Sequence, residues 1–98
     1  MDLNFKELGG IVYGEFNGRL DTAAAHATDI NEFIDNADKK IVFDCEKLEF
    51  ISSAGLRILL ALYKECRKKG GSITLKSVVP SVMRVFQVSG FANMFTIE

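Results

Sequence analysis

The chain has 98 residues, 48% of them apolar and 26% charged, with 12 basic against 13 acidic side chains and a net charge of −1. That size and balance fit one domain over residues 1–98 and leave no room for a second, and the charge supplies no footprint for direct nucleic-acid binding. No apolar run approaches bilayer length and Met1-Asp2-Leu3-Asn4 lacks a secretory start, so the reading is a cytoplasmic domain without membrane insertion.

Residues 3–8 and 10–17 read as two strands turned at Gly9-Gly10, with Ile11 and Tyr13 on one face and Val12, Gly14 and Phe16 on the other. They form an opening hairpin. After Gly18-Arg19-Leu20, Asp21 or Thr22 can cap a helix expected through about Asn36, with Ala23, Ala27, Ile30, Phe33 and Ile34 as its buried stripe. Residues 40–44 are a β-rich run, apolar on both faces, which predicts the central strand of a helix-covered sheet. The polar stretch that follows reads as a solvated loop. A second helix is predicted over 53–69, where Leu56, Leu59, Leu60, Tyr63 and Cys66 recur at helical spacing before Gly70-Gly71 stops it. Residues 72–76 supply another strand. Pro80 suits the first turn of a last helix that buries Val82, Val85 and Phe86 and ends at Gly90, after which residues 93–98 return as a short edge strand. The order β-β-α-β-α-β-α-β predicts an α/β fold: a mixed, mostly parallel sheet of about five strands, with an antiparallel hairpin at its N-terminal edge.

The stretch Phe50-Ile51-Ser52-Ser53-Ala54-Gly55-Leu56 passes from a strand, through two hydroxyls, into the best-patterned helix. A serine at a helix N-terminus sits among unpaired N–H groups, so its side chain can cap them, and a phosphate added there meets donors and a favourable dipole. From the residues alone, Ser53 is an ordinary N-cap or a modifiable hydroxyl, Ser52 a backbone-bonding turn residue or else a spare acceptor, and Asp21 a cap of the first helix. Gly55 allows a close approach of the helix start, Leu56 is a core residue, and Arg57 solvates a helix face or meets an acidic partner. Cys45 and Cys66 have no C-x-x-C spacing and no second histidine beside His26, which predicts reduced structural thiols and no metal set. Asp44, Glu46 and Glu49 do not make a ligand cage by spacing, and Arg67-Lys68-Lys69 suits a helix C-terminus. With no phosphate-cradling G-x-x-x-x-G-K-[ST] loop, no enzyme and no cofactor are expected.

The segment from Ile41 to Leu60, IVFDCEKLEFISSAGLRILL, closely resembles the signature of STAS domains, specifically of bacterial anti-sigma factor antagonists. Gly18-Arg19-Leu20-Asp21, Lys69-Gly70-Gly71, Pro80-Ser81-Val82 and Val88-Ser89-Gly90-Phe91 extend the resemblance over nearly the whole chain. In that family the switch reads D-S-S-G-L, and its first serine receives phosphate from an anti-sigma factor that is itself a serine kinase. Aligned on Gly55-Leu56, that serine is Ser53, with Ser52 standing where the family has aspartate and Ala54 where it has a second serine. The resemblance implies partner switching. The unphosphorylated protein binds a kinase-type anti-sigma factor and frees a sigma factor, phosphorylation of Ser53 ends the binding, and a serine phosphatase restores it. Asp21, Ser52, Ser53, Ala54, Gly55 and Arg57 are the implied partner-binding set. The alternative is a non-switching STAS interaction subunit of a sensory complex or a lipid-transport ATPase.

Overall fold

Gly9 and Gly10 both hold left-handed backbone (φ 58° and 80°), the geometry of a two-residue hairpin turn that only glycine adopts freely. The turn joins β1 (Asp2–Leu8) to β2 (Ile11–Leu20) in antiparallel register, Leu8 opposite Ile11 and Asp2 opposite Asn17. The computed structural model describes all of residues 1–98. Beyond the hairpin come α1 (Thr22–Ala27), α2 (Asn31–Asp35), β3 (Lys40–Ile51), α3 (Ser53–Lys69), β4 (Ser72–Lys76), α4 (Pro80–Ser89), a 3-10 turn (Phe91–Asn93) and β5 (Thr96–Ile97).

The five strands lie side by side in chain order, with every pair after the hairpin parallel. Three crossovers that advance in one direction lay their helices on one face of the sheet, as right-handed connections of parallel strands do. That face carries Val12, Phe16, Ile41, Phe43, Cys45, Ile73 and Leu75, which share one core with Phe33, Leu56, Leu59, Leu62, Val82 and Phe86 from the helices. Phe16, Phe43 and Phe33 form its aromatic centre, with successive ring centroids 5.0 and 5.1 Å apart. The other face of β3 is not helix-covered as predicted. Val42 is buried there in a shallow groove of about 330 Å³ lined only by residues of β1 to β4, among them Lys6, Tyr13, Glu15, Asp44 and Lys76.

Three further expectations change. The single helix over 22–36 is two short helices, because Thr28 donates its hydroxyl to the Ala24 carbonyl (2.6 Å) and Asp29 accepts the Asn31 amide (2.9 Å). Short polar side chains that bond nearby backbone compete with helix propagation. The buried positions there are Ala25 and Phe33, while Ala23 and Ala27 are exposed. The expected loop after Asp44 is strand: β3 continues to Ile51 through two register shifts against β2, and Glu46 donates its amide to Asp44 Oδ1 (3.0 Å) at the first. Each shift sets one extra residue of β3 against β2, so the buried residues Cys45, Leu48 and Ile51 fall three apart rather than two. In α3 the core stripe runs through Leu62, with Leu60 and Tyr63 only partly buried, and in α4 Val85 is likewise half-buried.

Two contacts fix the far end of α3. Gly70 takes the left-handed cap conformation (φ 85°), and Lys69 donates its ammonium to the Ile34 carbonyl at the end of α2 (3.0 Å). Arg67, Lys68 and Lys69 therefore serve a helix C-terminus, as their position predicts, with Glu65 within 4.0 Å of both lysines.

Candidate functional site

The parallel ladder of β2 and β3 ends at Leu20 opposite Ile51, and each strand turns at once into a helix. Two helix starts therefore stand side by side at the C-terminal edge of the sheet, the edge where α/β folds place their binding sites. Asp21 caps α1, its Oδ1 accepting the Ala24 amide at 2.8 Å. Ser52 caps α3. Its Oγ accepts the Gly55 amide (3.1 Å) and donates to the Leu20 carbonyl (3.0 Å), which also accepts the Ser52 amide (2.9 Å). The residue thus bolts the start of α3 to the end of β2, replacing both the turn role expected for Ser52 and the N-cap role open to Ser53.

Relieved of capping, Ser53 is the first residue of α3 and is exposed. No imidazole or carboxylate hydrogen-bonds its hydroxyl, so nothing activates it as a nucleophile. Arg57, exposed one turn further along the same helix face, lies four residues on. Ala54 is half-buried against the core. Gly55, expected among the partner-binding residues, is buried: a Cβ there would lie 2.8 Å from Leu20 Cγ and 2.9 Å from Ile51 Cγ1. Its role is to let α3 seat on the strand ends, and it presents no side-chain surface.

Sequence reasoning passed over two neighbours of this edge. Arg19 and Phe50 face each other in register one step below Leu20 and Ile51, and the Arg19 guanidinium carbon sits 4.5 Å from the Phe50 ring centroid. Phe50 keeps 38% of its surface exposed. The signal was present in the motif itself, since a phenylalanine one position before a core-facing isoleucine in a strand points to the other face.

Both cysteines are buried free thiols, as expected, with burial and then the Asp44 carboxylate pushing Cys45 up to about 12. Burial, with Glu65 and against Lys69, also raises Cys66. His26 is exposed in the last turn of α1. No three of the His, Cys, Asp and Glu side chains converge as a metal site would require. No helix is long and apolar enough to cross a membrane.

Fold and edge together define a singly wound β-α domain that presents an exposed serine on a capped helix start. The chain belongs to the STAS domain family, which it matches over residues 2–98. It is 30% identical to BtrV of Bordetella bronchiseptica, described as an anti-sigma factor antagonist, over 99% of this chain and 85% of that one. Among solved structures it superposes on a Thermotoga maritima protein described as an anti-sigma factor antagonist, with a TM-score of 0.87, at 23% identity over 97% of this chain and 84% of that one. The Bacillus protein SpoIIAA matches in its unphosphorylated form (TM-score 0.81, 22% identity, 99% of this chain and 88% of that one). Its phosphorylated form matches as well (TM-score 0.72, 23% identity, 99% and 91%).

Proposed function

We propose that this protein is an anti-sigma factor antagonist that binds a kinase-type anti-sigma factor through the Ser53 edge and is switched off when that kinase phosphorylates Ser53. A serine phosphatase then returns it to the binding form. The observation that carries this reading is the division of labour between adjacent hydroxyls: Ser52 holds the helix start and Ser53 stands free in solvent. Phosphate adds about −1.5 to −2 charge, and at the first turn of a 17-residue helix the dipole favours that charge by roughly 0.3–1 kcal/mol. The fold keeps its stability on modification.

The cost falls on the complex, where a dianion is pressed against a desolvated partner surface. A loss of about 2.7 kcal/mol weakens binding a hundredfold. The descriptions of BtrV and SpoIIAA as anti-sigma factor antagonists, and the existence of SpoIIAA in both phosphorylation states, support the same reading. The test is incubation with the co-encoded kinase-type anti-sigma factor and ATP, followed by mass-spectrometric mapping. A single phosphate on Ser53 is expected; phosphate elsewhere, or none, overturns the switch. If Ser53→Asp and Ser53→Ala both bind every partner as the parent does, the protein is instead a non-switching STAS subunit.

A further inference from the structure

Phe50 is a large apolar side chain left 38% exposed beside the proposed switch. Its Cα lies three residues from that of Ser53, which limits their separation to about 11 Å. A protein interface of ordinary size covers about 800 Å² on each partner, a patch roughly 30 Å across. A partner centred on Ser53 covers surface out to about 15 Å from it, a range that includes the Phe50 position at the end of β3. The Arg19 guanidinium carbon lies over that ring, 4.5 Å from its centroid, and the guanidinium forms no ion pair within the protein. A planar fork of donors above an aromatic ring matches a carboxylate set beside an apolar contact.

Taking the Ser53 edge as the partner-binding surface, we propose that Phe50 is the apolar anchor of the complex with the anti-sigma factor and that Arg19, held on its ring, receives a carboxylate of that partner. Aromatic and arginine side chains dominate the energetics of such contacts. The pair lies on strand ends rather than on α3, so it adds affinity without being part of the phosphorylated turn. Recognition and switching are thus divided between neighbouring elements.

The experiment measures the affinity of the co-encoded anti-sigma factor for the parent protein and for Phe50→Ala, Phe50→Leu, Arg19→Ala, Arg19→Glu, Ser53→Asp and Val88→Ala, with thermal melts of each. Val88, 81% exposed on α4, is the control. Expected are losses of about tenfold to a hundredfold for Phe50→Ala and Arg19→Glu, smaller losses for Phe50→Leu and Arg19→Ala, and none for Val88→Ala. If Phe50→Ala fails to fold, Phe50→Leu and Arg19→Glu decide. Unchanged affinity in the Phe50 and Arg19 variants, with binding lost in Ser53→Asp, overturns the anchor and leaves the switch standing. Unchanged affinity in Ser53→Asp overturns the switch instead, and a parent that does not bind overturns both.

Discussion

Replacing Ser52 by alanine removes two hydrogen bonds at once, the cap on the Gly55 amide and the hydroxyl bond to the Leu20 carbonyl. Loss of a serine cap costs about 1 kcal/mol, within a range of roughly 0.5–2. The second bond is worth about 0.5–1.5 kcal/mol net. Leu20 keeps the Ser52 amide at 2.9 Å, so its carbonyl is not stranded, whereas the amide of buried Gly55 loses its acceptor. The expected total is about 2 kcal/mol, and at about 5 °C per kcal/mol for a domain of this size the Tm falls by about 10 °C. Ser53→Ala removes a hydroxyl that no protein group uses and changes stability by less than about 0.5 kcal/mol. Ser52→Asp restores the cap and places a charge the dipole favours. Its carboxylate cannot donate to Leu20, however, so about half of the loss remains. Urea and thermal unfolding followed by circular dichroism read all three variants. The assignment of the cap is refuted if Ser53→Ala costs as much as Ser52→Ala, or if Ser52→Ala leaves the midpoint unchanged.

Two glycines and two thiols give further tests. Gly55→Ala gains roughly 0.8–1 kcal/mol of helix propensity but drives a Cβ to 2.8 Å from Leu20 Cγ and 2.9 Å from Ile51 Cγ1, an overpacking that costs about 1–3 kcal/mol. A net loss is expected in urea titration, and a more stable variant contradicts the seating of α3. At Gly71 a new Cβ runs into the Ala37 and Lys39 carbonyls, which are backbone and cannot turn aside, so Gly71→Ala is expected to cost more than Gly55→Ala. Equal or better stability than Gly55→Ala refutes that ranking. The folded state holds the Cys45 thiol at about 12 against an ordinary 9.0. Above pH 9 the unfolded chain releases a proton that the native state retains, so this contribution to stability is complete below pH 9 and is lost as pH rises towards 12, by at most about 1.4 kcal/mol per pH unit for this one thiol. Cys66 shifts the same way. Unfolding free energies measured from pH 8 to 10.5 should fall more steeply in the parent than in Cys45→Ala. At pH 8 a thiol reagent should find neither cysteine until urea exposes both, and rapid labelling of the native protein argues against their burial.

Most of the site was legible because it is local. Ser53 to Lys69 reads as a helix from the spacing of Leu56, Leu59 and Cys66 and from the glycine pair after it, and α3 has those bounds. Which serine caps was not legible. Both hydroxyls suit a helix start, and the choice went to Ser52 because the end of β2 places the Leu20 carbonyl within reach of its amide and hydroxyl. The extension of β3 was hidden for a related reason. Its two bulges against β2 change the burial period from two to three at Cys45, Leu48 and Ile51, so a strand carries a pattern that alternation does not recognise. The break after α1 turns on Thr28 and Asp29 bonding their own backbone, a competition that an alanine-rich run does not advertise.

By itself, then, the amino-acid sequence determined the order of strands and crossovers, though not the break between α1 and α2, together with the mixed sheet class and the serine at the start of α3, since these follow from periodicity, turn residues and a contiguous motif. Tertiary structure decided what lies beside that serine. Arg19 and Asp21 come from β2 and its exit, more than thirty residues before Ser53, and only parallel pairing of β2 with β3 brings them to the same edge. Pairing across the sheet is non-local, set by the burial of Val12, Phe16, Ile41 and Phe43 on one face, and it is that burial which turns a short motif into a surface.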